Sequence, residues 1–220
     1  MTLDDATVWP PLGLRVAGAG LELRWAREEL LFELARLAAD GVHDDASMPF
    51  LTPWTRGEPL AVARSVLQYN WGQRAKAQPD DWDLQLAVLR DGAVLGVQGA
   101  CATQFPLTRT AETGSWLGRA HHRQGVGTAM RLLVLHLLFD GLGARAATTS
   151  AFVDNAPSLG VTRKLGYREN GATTHVREGV AVTELRFRLD RDDWRARPEW
   201  MRPEVTLEGV EPVRDWLGIA

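Results

Sequence analysis

The segment His121-His122-Arg123-Gln124-Gly125-Val126-Gly127-Thr128 has the residue types and spacing of an anion cradle. A short apolar run, Gly114 to Gly118, leads into it, and the stretch from Ala129 to Leu138 behind it reads as a helix. Glycines let the main chain come close to a ligand, and the first N–H groups of a helix have no partner inside it. Those amides and the positive end of the helix dipole favour phosphate. The chemistry on offer is therefore the grip of a phosphorylated cofactor. A dinucleotide fingerprint would need a third glycine where Met130 stands. A nucleoside-triphosphate loop would need a lysine after a glycine, and none follows Gly125 or Gly127. Alone, the loop suits a glycine turn before an ordinary helix equally well.

A second segment adds to the first. Phe152-Val153-Asp154-Asn155-Ala156-Pro157-Ser158-Leu159 runs from a strand into a polar turn. Asn155 suits a helix cap and Pro157 the first helical turn. Gly166, before Tyr167, suits the end of that short helix. In this order, the two segments resemble the GNAT superfamily of N-acyltransferases. Its pyrophosphate loop reads Gln/Arg-x-x-Gly-x-Gly/Ala, and its next helix carries Asn-x-x-Ser and then Leu-Gly-Phe/Tyr. Gly125 and Gly127 stand at the glycines, with His122 at the Gln/Arg position and Arg123 beside it. Asn155, Ser158 and Leu165-Gly166-Tyr167 match the second pattern. The resemblance runs over about residues 13–190. Gly114-Ser115-Trp116-Leu117 resembles the RimJ/RimL-like branch. Gly41-Val42-His43-Asp44, with Met48-Pro49-Phe50 and Pro53-Trp54-Thr55, is similar to an actinobacterial subgroup, some members of which take succinyl-CoA.

The resemblance implies an α/β (α+β) GNAT fold, a central mixed sheet of about seven strands with helices on both faces. It implies an acyl-CoA-dependent N-acyltransferase that moves an acetyl or succinyl group to a primary amine by direct attack. In the family, the strands flanking the glycine-loop helix splay apart and pantetheine lies between them. The cofactor residues carried over are Trp116, Leu117, His122, Arg123, Gln124, Gly125, Val126, Gly127, Thr128, Asn155 and Ser158. The backbone N–H near Leu117 is the candidate oxyanion donor, and Ser158 the candidate donor to the leaving sulfur. Glu112 is the candidate base, with Asp154, His43 and His175 as rivals and a water chain as a further route. The acceptor pocket is expected at the loop after the first long helix and at the C-terminal hairpin. The acceptor is a small-molecule or protein amine. A non-catalytic acyl-CoA-binding or sensing module stays open, because His122 departs from the pattern and the base is unassigned.

Composition narrows the partners. Lys and Arg number 25 against 28 Asp and Glu, a net charge of −3, which excludes a general nucleic-acid binder. No apolar run is long enough to span a bilayer. Met1-Thr2-Leu3-Asp4-Asp5 is acidic and reads as no secretory leader. Cys101 is the single cysteine, so no internal disulfide forms, and its apolar surroundings suggest a buried strand thiol in a cytoplasmic protein. His43-Asp44-Asp45 and His121-His122 are adjacent residues that do not converge on one ion, so no metal is expected. Nine tryptophans suggest aromatic walls. A homo-oligomer is left open.

The elements that must position these groups follow from periodicity. Leu21 to Trp25 alternates as a strand, and Glu28 to Ala39 is a helix with Leu30, Leu34, Leu37 and Ala38 on one stripe. Gly41, Pro49, Pro53 and Gly57 mark a loop from Asp40 to Glu58, and a second helix spans Pro59 to Lys76. Asp91-Gly92 turns a hairpin between a strand around Trp82 to Val88 and one from Ala93 to Thr103. Strands follow at Thr110 to Leu117 and Ala144 to Val153, parallel across the glycine-loop helix by a right-handed crossover. Met130, Leu133, Val134, Leu137 and Leu138 share one face of that helix. Tyr167 to Val176 and Val180 to Leu189 close the order around Glu178-Gly179. Residues 1–190 make the acyltransferase domain. Residues 191–220, with Trp194, Trp200 and Trp216 among prolines, read as an extension packed on the body or on a partner subunit.

Overall fold

The computed structural model describes residues 3–219. Met1 and Thr2, at the start of the acidic segment, and Ala220, at the end of the extension, lie outside the described residues. In chain order the elements are α1 (Asp5–Val8), β1 (Arg15–Gly18), β2 (Leu21–Trp25), α2 (Glu28–Ala39), α3 (Pro59–Lys76), β3 (Asp81–Arg90), β4 (Ala93–Thr103), α4 (Phe105–Thr108), β5 (Thr110–Leu117), α5 (Val126–His136), β6 (Ala146–Phe152), α6 (Ala156–Lys164), β7 (Arg168–Arg177), β8 (Val180–Asp190), α7 (Arg191–Arg195), β9 (Val205–Glu208) and α8 (Val210–Trp216).

The strands form one sheet in the order β7-β8-β6-β5-β4-β3-β2-β1-β9. Every pairing is antiparallel except β5 with β6. Among the described residues nine strands replace the expected seven. The additions, β1 and β9, are four residues each and pair with one another at the far edge. Segments that short carry too little alternation to register as strands in the sequence.

Helices α2 and α3 cover one face, where Leu31, Leu34, Ala35, Ala38, Val62 and Val66 pack on Ala87, Leu89 and Val97. The buried stripe of α2 runs through Leu31 and Ala35, while Leu30 and Leu37, expected inside, are half-buried. Helices α5 and α6 cover the other face over the larger core. The expected single apolar face of α5 is corrected: Met130 to His136 are all buried. A helix apolar all round needs cover all round, and residues beyond β8 supply it. The Trp194 ring stacks on Phe139 at 5.3 Å and donates through Nε1 to Asp140 at 3.0 Å. Val210, Val213, Leu217 and Ile219 join the same core. No helix among the described residues is long and apolar enough to cross a membrane.

Candidate active site

The site begins where two strands part. β5 and β6 pair in parallel only at Thr110↔Ala146, Ala111↔Ala147 and Glu112↔Thr148. Beyond that point β5 stays with β4 as far as Gly96↔Leu117, and β6 stays with β8 as far as Phe152↔Glu184. A wedge opens between Thr113–Leu117 and Thr149–Phe152. Alternate residues of an antiparallel strand point their N–H and C=O groups at the partner. Gly118 N–H donates to Leu95 O at 2.9 Å, which sets the parity. Trp116 therefore faces β4, while Leu117 and Ser115 aim their main-chain groups into the wedge. Gly96 lets β4 approach from behind: a Cβ there would meet Trp116 O at 2.2 Å.

Past Leu117 a single 3₁₀ turn (Arg119–His121) leads to α5. Arg123 and Gly125 take left-handed backbone angles, φ 58° and 77°. Only glycine does so without cost, and a Cβ on Gly125 would point into open space. Among the described residues, the N–H groups of Arg123, Gln124, Gly125, Val126 and Gly127 have no hydrogen-bond partner. Thr128 differs from the expected cradle, because its N–H already donates to Gly125 O at 3.2 Å. Gln124 Nε2 donates to Ala120 O at 2.8 Å, which braces the loop. His122 turns back rather than outward: its Nε2 lies 3.2 Å from Leu117 O.

Helix α6 abuts this loop, with Val161 Cγ2 3.7 Å from where a Gly127 Cβ would lie. Asn155 caps α6, its Oδ1 accepting from Ser158 N–H at 3.2 Å. The Ser158 hydroxyl is half-buried and makes no hydrogen bond among the described residues. Gly166 follows the helix at φ 82°, and Tyr167 turns inward until its OH lies 3.5 Å from Thr113 Oγ1.

The opposite face of the wedge is built differently. The Trp116 ring lies 5.7 Å from Trp54, Trp54 lies 5.1 Å from Phe50, and Phe50 lies 6.0 Å from His43. Trp116 thus offers its ring to the α2–α3 loop and its main-chain groups to β4, leaving the wedge to its neighbours Ser115 and Leu117. Arg56 donates to Asp45 O at 2.6 Å and to Glu178 Oε1 at 3.1 Å, clasping that loop to the β7–β8 hairpin. Across three strands, Ser150 Oγ donates to Glu184 Oε1 at 2.8 Å, and Glu184 Oε2 lies 3.1 Å from His175 Nε2. With the proton on Nε2, His175 keeps Nδ1 as an acceptor.

The candidate bases are not brought to one point. Glu112 is exposed at the closed end of the wedge, opposite Cys101 on β4. His175 is tied to Glu184. His43 Nε2 is engaged by Thr55 Oγ1 at 2.6 Å. Asp154 pairs with Arg177, whose hydrogen bonds hold the carboxyl below its ordinary range and make it a poor base. Burial, then the charges of Asp83 and Glu112, push the Cys101 thiol up to about 12, so it is no nucleophile. No group of three His, Cys, Asp or Glu side chains suited to a metal occurs among the described residues. Cavity size does not mark the site. A 430 Å³ hollow beside Arg15, Arg24 and Trp25 is remote from the wedge. A 280 Å³ hollow between His43, Thr55, Arg56 and Arg119 borders the aromatic side. The sequence reading missed Ser150, Glu184, Arg56 and Arg131. The first two fall inside strands that the sequence marks, but nothing local pairs β6 with β8.

The acetyltransferase (GNAT) domain family matches residues 21–168. RimJ of Mycobacterium smegmatis, solved with CoA-disulfide, superposes with a TM-score of 0.68 at 22% identity, over 84% of this chain and 90% of that one. RimL, the ribosomal L7/L12 α-N-protein acetyltransferase solved with coenzyme A, gives 0.62 at 19% identity, over 80% and 96%. The microcin C7 self-immunity acetyltransferase MccE, solved with acetyl-CoA and AMP, gives 0.60 at 15%, over 78% and 93%. At these identities the structural likeness is one of fold. The family match covers most of the chain, and the chain belongs to the GNAT acetyltransferase family, with the GNAT fold.

Proposed function

Starting from that membership, we propose that the chain transfers an acyl group, acetyl or succinyl, from acyl-CoA to a primary amine by direct attack. The observation that carries this reading is the row of five unpartnered amides, Arg123 to Gly127, at the mouth of the wedge between β5 and β6. Such amides at a helix N-terminus fit a diphosphate, and the open space at Gly125 fits its close approach. The CoA and acetyl-CoA complexes of RimJ, RimL and MccE support the same class of co-substrate.

The amine nitrogen attacks the thioester carbonyl, an amide bond forms, the C–S bond breaks, and a proton leaves the amine. Leu117 N–H, aimed into the wedge, meets the charge that develops on the carbonyl oxygen. Ser158 holds its uncommitted hydroxyl for the departing sulfur. The amides of Arg123, Gln124 and Val126 face the phosphates, His122 and Thr128 brace the loop through Leu117 O and Gly125 O, Asn155 caps the helix beside it, and Trp116 belongs to the aromatic side. Glu112 and the His175–Glu184 pair compete for the amine proton, directly or through water. The acceptor enters between the aromatic ladder and the hairpin. Residues 191–220 act as an extension packed on the body, a reading supported by buried Trp194 and Val213. A cytoplasmic setting is supported by the lone cysteine.

The test is thiol release from acetyl-CoA and succinyl-CoA across a panel of small and peptide amines. Amine-dependent release supports the enzyme. Tight CoA binding with no release on any amine supports the sensing module instead. Ser158→Ala is expected to keep CoA affinity and lower turnover by about 10- to 100-fold. Undiminished turnover removes Ser158 from the chemistry.

A further inference from the structure

Arg131 lies on α5, just beyond the amide cradle, and its side chain reaches the place where β5 and β6 part. It is 5% exposed. One guanidinium nitrogen donates to Thr149 Oγ1 at 3.0 Å and another to Ser115 Oγ at 3.3 Å. Its Nε is buried with no partner. Both hydroxyls lie beyond Glu112↔Thr148, the last β5–β6 pair. The Thr149 hydroxyl spends its own proton on Thr113 O at 2.9 Å. Tyr167, buried beside them, stays a neutral phenol because burial raises it above its ordinary range. No carboxylate pairs with Arg131 among the described residues. A permanent cation is thus held at the closed end of the cleft by neutral oxygens alone.

Burying a charge without a counter-charge is costly. Its neighbours on α5, Met130, Leu132 and Leu133, are apolar and buried, so a leucine or methionine would meet the packing need more cheaply. An anion that arrives with the ligand resolves the cost. Depth decides which anion. Ser115 lies two residues deeper than Leu117, about 7 Å at the rise of a strand. An acetyl group extends about 1.5 Å past its carbonyl carbon and stops short of the guanidinium. A four-carbon diacid spans about 4 Å between its end carbons. A charge-assisted hydrogen bond of about 2.8 Å covers the rest.

We propose that Arg131, with Ser115 and Thr149, forms a carboxylate-binding subsite at the closed end of the wedge. The preferred donor is then an acyl-CoA whose chain is about four carbons long and ends in a carboxylate. The proposal rests on the assignment of the wedge to acyl-CoA. Calorimetric titration of the full chain with CoA, acetyl-CoA, butyryl-CoA and succinyl-CoA tests it without any acceptor. Butyryl-CoA matches the length without the charge. Succinyl-CoA is expected to bind at least about tenfold tighter than butyryl-CoA. Arg131→Met, its fold checked by circular dichroism, is expected to bring succinyl-CoA down to the butyryl-CoA value. Equal affinity of the wild-type chain for the two overturns the subsite whatever the variant does, as does a preference that survives in a folded Arg131→Met. Failure of CoA itself to bind overturns the cofactor assignment beneath it, a distinguishable result.

Discussion

The two sides of the wedge are made of different materials. The α5–α6 side is main chain: five amides, a left-handed glycine and a capped helix, all within a short stretch of sequence. The loop-and-hairpin side is side chains drawn from across the molecule, with Arg56 reaching Glu178 and Ser150 reaching Glu184. Backbone groups are common to every sequence, so the first side can hold a constant ligand portion. Side chains are particular, so the second side suits the part that varies, the acceptor. In the proposed function the first side carries affinity for CoA and the second the choice of amine.

Substitutions should separate the two. Gly125→Asp pushes a charged side chain into the open space that the proposed function gives to phosphate and strains a backbone at φ 77°. CoA affinity measured by calorimetry should fall roughly a hundredfold, equivalent to about 2.7 kcal/mol. An unchanged affinity in the folded variant would break the assignment of that side. Trp54→Ala removes the middle of the aromatic ladder. The KM for an accepted amine should rise about tenfold, about 1.4 kcal/mol, while the CoA affinity holds. A parallel loss of CoA affinity would blur the division.

Smaller effects concern what supports each side. Asp140 ties the end of α5 to the extension, accepting from His136 Nδ1 at 2.8 Å, when that nitrogen is protonated, and from Trp194 Nε1 at 3.0 Å. Burial pulls its carboxyl upward, but the hydrogen bonds from His136 and Trp194 outweigh it, and the group ends below its ordinary range. A depressed carboxyl contributes stability above the ordinary carboxylate range and loses it as pH falls through the folded value. Asp140→Asn should therefore cost about 1 kcal/mol at neutral pH, with the gap closing in acid when denaturant unfolding is followed against pH. Arg56→Ala breaks an ion pair exposed on both partners, 38% and 40%. Its stability cost should stay under about 0.5 kcal/mol, with a modest rise in amine KM showing that the clasp acts on the acceptor side alone.

The same difference explains what the sequence disclosed. Gly125, Gly127, Asn155 and Ser158 are legible because their work is local: a turn, a cap and a helix start within a few residues. β2 and the first half of β3 are legible because apolar and polar residues alternate along them, and β4 because Asp91-Gly92 turns the chain into it. β1 and β9 are not, since each is four residues long and is held by partner strands distant in sequence or by a short hairpin rather than by its own pattern. Helix α6 is half-legible: the capping bond of Asn155 follows from its neighbours, but the approach of Val161 to Gly127 of α5 does not. Glu184 reads as an ordinary strand carboxylate until β6 and β7 are laid beside it. Arg131 reads as one polar position in an apolar helix, and only the parting of β5 from β6 gives it a setting.

The central claim is that the amides of Arg123 to Gly127 hold the diphosphate of CoA. Titrating CoA into isotopically labelled protein while following backbone amide resonances tests it at those atoms. The account predicts that these five amides shift most, together with Leu117 and residues at the start of α6. CoA binding that leaves all five unmoved would contradict it.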